Sequence, residues 1–495
     1  MGQKTIYFIS TNEHKINEAQ AIFDQKKLGI QVKKYDSKEI KEIQSKDMEE
    51  IVLDKALKVY KSLQRPLFVE HTGLMIKDFG GLPGGLTQVF WSSFLPPGAD
   101  KTTDKKQKLT NNMIACNNFC KHFGGKAVTA VTWIAFCDGK QIKTYHGEID
   151  GTIPQKPQGE STFQWDPVFL PNGYSNQSFA EMTAEGKAGE NKKDQISMRR
   201  KALDDFANDL EQMRKDNPNY LSSANNHPIA EIKQLIKDNK LILFIGAGVS
   251  KPLHLPDWNE LISQLASQLG YKDPKVFALY GDNLILAEYY RVKNPASDTS
   301  TPLTDWMKKN LIIDQTEIES SAVHKEIAKL RCSIVYTTNY EEALEKAFDA
   351  ESKPHHKIAT IKDLAAIPAD AVQIVKFHGD INDEKSIVLA EQDYFKRLNF
   401  DTPMDIKLRA DMLGKSILFL GYSMSDINIR LLSYKLDQLW KSSPDIAERP
   451  ESYIFMARPN PIQEEIFKDR GITPIVGEHA DPETSLLQFL KALNS

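Results

Sequence analysis

Two blocks of alternating strand-like and helix-like segments, interrupted once by a polar stretch at residues 214–227, constrain this chain more than any other feature. Strands that alternate with helices bury their apolar faces as sheets covered by helices, so each block predicts an α/β domain. The interruption carries Lys215-Asp216-Asn217-Pro218-Asn219 and Ser222-Ser223-Ala224-Asn225-Asn226, which read as a linker. The expected organisation is a first domain at 1–213, the linker, and a second domain at 228–495. No repeat relates the blocks, so the chain reads as a fusion rather than a duplication. Its 495 residues are ample for two cores.

Composition excludes some classes. A hydrophobic fraction of 41% and a charged fraction of 26% are those of a folded globular protein. The longest apolar runs, such as residues 417–421, are strand-length and far short of the roughly 20 residues a spanning helix needs. The N-terminus lacks the long apolar core of a signal peptide, so a cytoplasmic protein without a membrane partner is expected. With 63 basic and 67 acidic residues, net charge −4, no bulk attraction to nucleic acid is expected either. Of four cysteines, only Cys116 and Cys120 are close. A C-x3-C spacing without a second pair reads as two reduced thiols packed among apolar neighbours, not as a zinc site.

The first block opens with a strand at residues 5–10 running into Thr11-Asn12-Glu13-His14-Lys15 and an amphipathic helix. Such a turn offers backbone N–H groups, a hydroxyl and a lysine to phosphate oxygens, although Thr-Asn alone is a helix cap. Downstream come Glu42, Lys55, Val69-Glu70-His71-Thr72-Gly73, Gly80-Gly81-Leu82-Pro83-Gly84-Gly85, Phe163-Gln164-Trp165-Asp166-Pro167, Lys193 and Ser197-Met198-Arg199. In this order and spacing the set resembles the inosine triphosphate pyrophosphatase family over about residues 4–212.

The resemblance implies a two-lobed α/β fold whose cleft binds keto-purine triphosphates such as deoxyinosine triphosphate. It assigns Thr11, Asn12 and Lys15 to the phosphate loop and Lys55 to a second phosphate contact. Glu18 and Glu42 match acidic positions close to a magnesium site, for which Glu42 and Glu70 are the candidate ligands. Phe163, Trp165 and Asp166 match the segment that stacks on and hydrogen-bonds the base, with Lys193 and Arg199 nearby. Two departures stand out. The family's acidic pair before the Ser/Thr-Gly step reads Glu70-His71 here, and its Ser-His-Arg triplet reads Ser197-Met198-Arg199. Magnesium prefers oxygen ligands, so an imidazole at His71 predicts impaired hydrolysis with triphosphate binding retained. The alternative is that His71 serves as a general base.

In the second block the apolar strand Leu241–Ile245 runs into Gly246-Ala247-Gly248-Val249-Ser250, a turn whose glycines admit a pyrophosphate to the backbone. Further strand ends read Thr337-Thr338-Asn339-Tyr340-Glu341, Lys376-Phe377-His378-Gly379-Asp380 and Leu420-Gly421-Tyr422-Ser423. In a parallel sheet the carboxyl ends of strands converge on one crevice, so a Rossmann-like doubly wound parallel sheet is predicted.

This order resembles the sirtuin family, and most closely bacterial sirtuin-like NAD-cleaving effectors of anti-phage defence, over about residues 228–485. The resemblance places NAD, as substrate, against Gly246, Ala247, Gly248, Ser250 and Thr338, with Asp257 towards the nicotinamide and Gly421 and Ser423 along the adenosine. Asn339 and His378 match the catalytic pair. Breaking the N-glycosidic bond needs a base and an orienting amide, and no metal. The four-cysteine zinc ribbon of sirtuin deacetylases is missing: no cysteine follows Gly379, and Cys332 is the only one in the block. That favours hydrolysis of NAD itself over deacylation.

The pairing resembles the Kongming type of anti-phage system, in which deoxyinosine triphosphate activates a sirtuin-like effector through a pyrophosphatase-like partner. It implies a homo-oligomer, and a separate deaminase that supplies the signal nucleotide. The competing readings are a working inosine or xanthosine triphosphate pyrophosphatase fused to an NAD-dependent deacylase, and a non-enzymatic nucleotide-binding scaffold.

Overall fold

The computed structural model describes residues 4–37, 40–99, 103–160, 164–183, 191–221, 228–294, 302–383, 386–397, 401–422, 427–442 and 449–495. They fall into two compact units, Met1–Asn225 and Asn226–Ser495.

The first unit is built on strands β1 (Lys4–Ile9), β2 (Ile30–Tyr35), β3 (Leu67–Ile76), β4 (Pro83–Gly84), β5 (Ala127–Cys137), β6 (Ile142–Thr152) and β7 (Leu170–Pro171). They form one sheet in the order β2-β1-β3-β5-β6-β7, with β4 pairing β3. β1 lies parallel to β2 and β3, whereas β3, β5, β6 and β7 pair antiparallel. The ten-residue β3 passes between two cores. Phe68 near its start packs with Phe8, Phe23 and Phe206, and Leu74 and Ile76 near its end pack with Trp91, Phe119 and Phe169. Two cores on one sheet are the two lobes expected from the sequence. The polar residues Glu70, His71 and Thr72 fall between them.

Helices start where a side chain can take up the unpaired N–H groups of a first turn. Asn12, Asp47, Asp104 and Ser197 do so for the helices Glu13–Gln25, Met48–Leu63, Lys105–Phe123 and Met198–Asp216. The last of these runs three residues into the stretch read as linker, of which 222–227 lie outside the described residues. Cys116 and Cys120 are buried free thiols whose pKa values burial pushes up to about 12.

The second unit carries β8 (Leu241–Ile245), β9 (Ile334–Thr337), β10 (His355–Ile358), β11 (Val372–Lys376), β12 (Ser416–Leu420), β13 (Ser452–Met456) and β14 (Ile472–Val476). All seven pair parallel, in the order β10-β11-β9-β8-β12-β13-β14. Every residue of β8 and β12 is buried, as in a sheet covered on both faces. Alternation along β8 sends Leu241, Leu243 and Ile245 into one core and Ile242 and Phe244 into the other. A further cluster gathers Leu261, Leu265, Phe277, Leu286 and Tyr290 from helices between β8 and β9 with Ile381, Leu389 and Ala390 from beyond β11. From β8 the chain passes to β9 on one side and later to β12 on the other, so the end of β8 is the switch point at which such sheets bind ligands. Among the described residues no helix is long and apolar enough to cross a membrane.

Candidate functional site

Between the two cores of the first unit lies a chain of buried charges. Glu70, 7% exposed, faces Lys15 through Oε1 and the Arg199 guanidinium, 2.9 Å away, through Oε2. Arg199 also reaches Glu18 at 3.3 Å. Beyond it Lys193 pairs with the buried Asp166. Towards solvent, Lys55 holds Glu42 at 2.5 Å.

Environment sorts these carboxylates. Burial pushes Glu70 up, but Arg199 and Lys15 outweigh it and hold its pKa down at about 2. At Glu18 burial wins over Arg199, lifting the pKa to about 6. Asp166 is raised by burial in spite of Lys193. Above about pH 6 the folded protein therefore carries the cost of an ionised Glu18, whereas the stabilisation from Glu70 is complete above its unfolded value and is lost only as pH falls towards 2. Glu18→Gln removes the first cost and should raise the stability of this unit by about 2 kcal/mol above pH 6, the gain vanishing below about pH 4.5. Denaturant midpoints at pH 4.5 and 7.5 test this, and a gain independent of pH would refute it.

Of the residues expected around a nucleotide, Lys15 and Arg199 are in this chain of charges. Thr11 is exposed and Asn12 caps the first helix by accepting from His14 N at 2.9 Å. Phe163 lies outside the described residues. Trp165 differs from expectation: it is 2% exposed, with its ring in the core against Phe169 and Phe179, so it presents no face to a base. Glu70, expected as a magnesium ligand, is an internal anion clamped by two cations. Among the described residues no group of three His, Cys, Asp or Glu side chains is placed to hold a metal ion. Magnesium usually takes one or two carboxylates and completes its shell with phosphate oxygens and water. Of the two candidate ligands, Glu42 is the one that reaches solvent, and Lys55 holds it there.

In the second unit, strand register fixes the geometry. Ile245 pairs with both Thr337 and Leu420, and Thr337 pairs with Lys376. The four sequence motifs thus leave the sheet at one level, with Asn339 and His378 each two residues beyond a paired rung. The Gly246 turn and the Gly421 turn interlock: Gly246 N donates to Leu420 O and Gly248 N to Gly421 O, both at 2.9 Å. A Cβ on Gly248 would lie 2.7 Å from Gly421 O. Gly248→Ala should therefore cost about 1–3 kcal/mol of the second unit's stability, read as a lowered denaturant midpoint, and an unchanged midpoint would show that the turns are not locked.

Asn339, 8% exposed, donates through Nδ2 to Ser250 Oγ at 3.2 Å and Glu341 Oε1 at 2.9 Å, and Ser250 Oγ donates to Glu341 at 2.7 Å. Its Oδ1 is buried and has no hydrogen-bond partner among the described residues. His378, 4% exposed, packs edge-on against Tyr394 at 5.4 Å, and its carbonyl accepts from Val388 N. Arg397 stacks on Phe377 and donates to Phe377 O at 2.6 Å, fixing the backbone before His378. Ala247 sits in the Gly246 turn and Thr338 N meets Ile245 O at 3.4 Å. Asp257 is exposed and caps the helix Trp258–Gln268 in a reciprocal box with Glu260, which accounts for it without a ligand. Ser423 lies outside the described residues.

Over 202 residues the chain is 31% identical to the dITP/XTP pyrophosphatase of Methanopyrus kandleri, covering 41% of this chain and 94% of that protein; residues 6–209 match the Ham1 family. The chain belongs to the Ham1 family. Behind the Ham1 part, residues 333–475 match the SIR2-like domain, so the protein is a Ham1-like domain fused to a SIR2-like domain. It is 30% identical over 213 residues to the NAD(+) hydrolase ThsA of Bacillus cereus, 41% of this chain and 42% of that protein. It is 28% identical over 254 residues to Defense-associated sirtuin 2 of Bacillus subtilis, 49% of this chain and 24% of that protein. The chain thus spans about two fifths of the length of the NAD(+) hydrolase relatives it matches.

Sequence reasoning did not single out Glu341 in the SIR2-like part. Its carboxylate joins Ser250 to Asn339, residues 89 positions apart. The only signal was an acid two residues after Asn339, which an ordinary helix start also provides.

Proposed function

We propose that the SIR2-like domain hydrolyses NAD and that the Ham1-like domain switches it on by holding a keto-purine triphosphate, deoxyinosine triphosphate being the expected signal. The observation that carries the first half is the unpartnered, buried Oδ1 of Asn339 at the switch point of the sheet. Both donors of that amide are spent on Ser250 and Glu341, so its acceptor is aimed and fixed. An acceptor so held orients a water or a ribose hydroxyl. As the N-glycosidic bond breaks, its electron pair returns to the pyridinium nitrogen and nicotinamide leaves neutral; water oxygen adds to the ribose carbon, and His378 takes the proton. The same reading expects the diphosphate against the turns at Gly246 and Gly421.

For the Ham1-like domain, Lys15 and Lys55 supply the charge that a triphosphate needs, and His71 stands where an acidic residue would complete a magnesium site. Retained binding with impaired hydrolysis makes a lasting signal. The role in anti-phage defence, the cytoplasmic setting, the homo-oligomer and the separate deaminase belong to the same proposal. It is supported by the similarity to the NAD(+) hydrolase ThsA and to the defence-associated sirtuin.

One observation favours a second reading. Burial lowers the pKa of His71, so its imidazole is neutral and able to accept a proton, as a working pyrophosphatase would need. Incubating the full chain with NAD, with and without deoxyinosine triphosphate, separates the two. Nicotinamide release that depends on the triphosphate, without matching pyrophosphate, is the expected result. Pyrophosphate release with no effect on NAD would favour the second.

A further inference from the structure

A lysine with no part in the reaction above ends one of the buried strands. Lys376 is the last residue of β11, two before His378, and is 1% exposed. A charge withdrawn from water into a sheet is costly unless it is both paired and hydrogen-bonded. Lys376 Nζ lies 3.3 Å from Glu345 Oε1 and donates to the backbone carbonyl of Glu341 at 2.5 Å. Glu345, in the first turn of the helix Ala343–Ala350, is buried too, and among the described residues neither of its oxygens accepts a hydrogen bond. Glu345 thus supplies charge, while the directed bond of Lys376 goes to Glu341.

That carbonyl belongs to the residue whose side chain accepts from Ser250 Oγ and Asn339 Nδ2. The side chain of Glu341 therefore aims the amide, and Lys376 fixes the main chain from which that side chain extends. Backbone bonds also join the segments after β9 and β11: Phe377 N donates to Thr337 O at 2.8 Å and Ile381 N to Tyr340 O at 3.2 Å. Such bonds hold the two segments together in any sequence that keeps the sheet. Lys376 adds a buried side-chain bond, running from the strand that leads to His378 to the segment that carries Asn339.

We propose that Lys376 is a positioning residue for NAD hydrolysis: through the Glu341 carbonyl it holds the Asn339 amide in register with the His378 ring, and it touches no reacting atom itself. The inference rests on the reading of the SIR2-like domain as an NAD hydrolase. Its physical basis is that a misplacement of about 1 Å, even from a change away from the chemistry, can cost about 10² in rate. Methionine at this position has a similar length but no donor, so Glu341 O would lose its partner. It would also leave the Glu345 charge buried without its cation, which is strongly destabilising, whereas exchanging both members of a buried ion pair for apolar residues is often neutral. Stability and positioning can therefore be separated.

The test uses the full chain with NAD, with and without deoxyinosine triphosphate, and compares Lys376→Met with the double variant Lys376→Met/Glu345→Met. Lys376→Met should lower kcat for nicotinamide release by about 10 to 10², with KM within about twofold of the wild type, and should lower the denaturant midpoint of the second unit. In the double variant the midpoint should return towards the wild type while kcat stays low. Recovery of kcat together with the midpoint would make Lys376 a residue of the fold alone and overturn the positioning role. A wild-type kcat in Lys376→Met, a loss carried by KM, or a double variant that remains destabilised or unfolded would overturn it as well. No nicotinamide release from the wild type in either condition would overturn the NAD reading itself, and the positioning role with it.

Discussion

His378→Ala is expected to slow nicotinamide release by about 10² to 10⁴, the usual loss when a general base is removed. Triphosphate binding by the Ham1-like domain should be untouched, because the substitution lies in the other compact unit. Asn339→Ala should be as damaging for a different reason. It removes the buried Oδ1 acceptor and also frees Ser250 and Glu341 from the amide that joins them. Losing the two hydrogen bonds that the amide donates typically costs about 0.5–1.5 kcal/mol each, so a lowered midpoint for the second unit is expected with Asn339→Ala and much less with His378→Ala. Asn339→Asp keeps an acceptor at that position but replaces the donor with a charge facing Glu341. Activity should stay low there too. NAD cleavage at the wild-type rate in both alanine variants, with folding intact, would remove these residues from the mechanism.

The second large effect is expected from His71→Asp. It restores a hard oxygen ligand and a fixed negative charge where water would attack, and pyrophosphate release from deoxyinosine triphosphate should rise by about 10² or more. Released pyrophosphate also means a consumed signal, so NAD cleavage after a limited dose of nucleotide should stop sooner. Two features hold the gain back. Aspartate cannot donate to Gly85 O as His71 does, and Met198, where the family has a base-reading histidine, is buried in the second core of the Ham1-like domain. Pyrophosphate from wild type and variant, measured side by side, decides the matter. Rapid release by the wild type would make the Ham1-like domain a working pyrophosphatase.

The architecture of the SIR2-like part was legible because its strands are buried on both faces. Leu241–Ile245 and residues 417–420 carry no polar residue, and each run ends on a glycine that breaks it. Asn339 and His378 each sit two residues past a strand, after Thr337 and after Lys376, which puts them at one level. What the sequence concealed were contacts whose partners lie far along the chain. Glu341 means nothing without Ser250, 91 residues earlier, and Glu70 is an ordinary acid until Arg199, 129 residues later, reaches it. Trp165 failed for a local reason: the short 3-10 turn Asp166–Val168 that follows it leaves its ring in the core. Asp257 was decipherable, since an aspartate three residues before Glu260 at a helix start is a capping pattern in itself.

The alternation of side chains along β3 has a wider consequence. Glu70 turns inward to the cations that neutralise it, while His71, one residue on, turns to the Gly85 carbonyl. Neighbours on a strand face opposite ways, so the carboxylate that anchors the interior and the ring that turns to the Gly85 carbonyl are adjacent in the chain yet mechanically separate. On the proposed function, a change at residue 71 alone would alter what happens to a bound triphosphate and leave the ion pairs of Glu70 as they were. A catalyst and a receptor would then be one substitution apart.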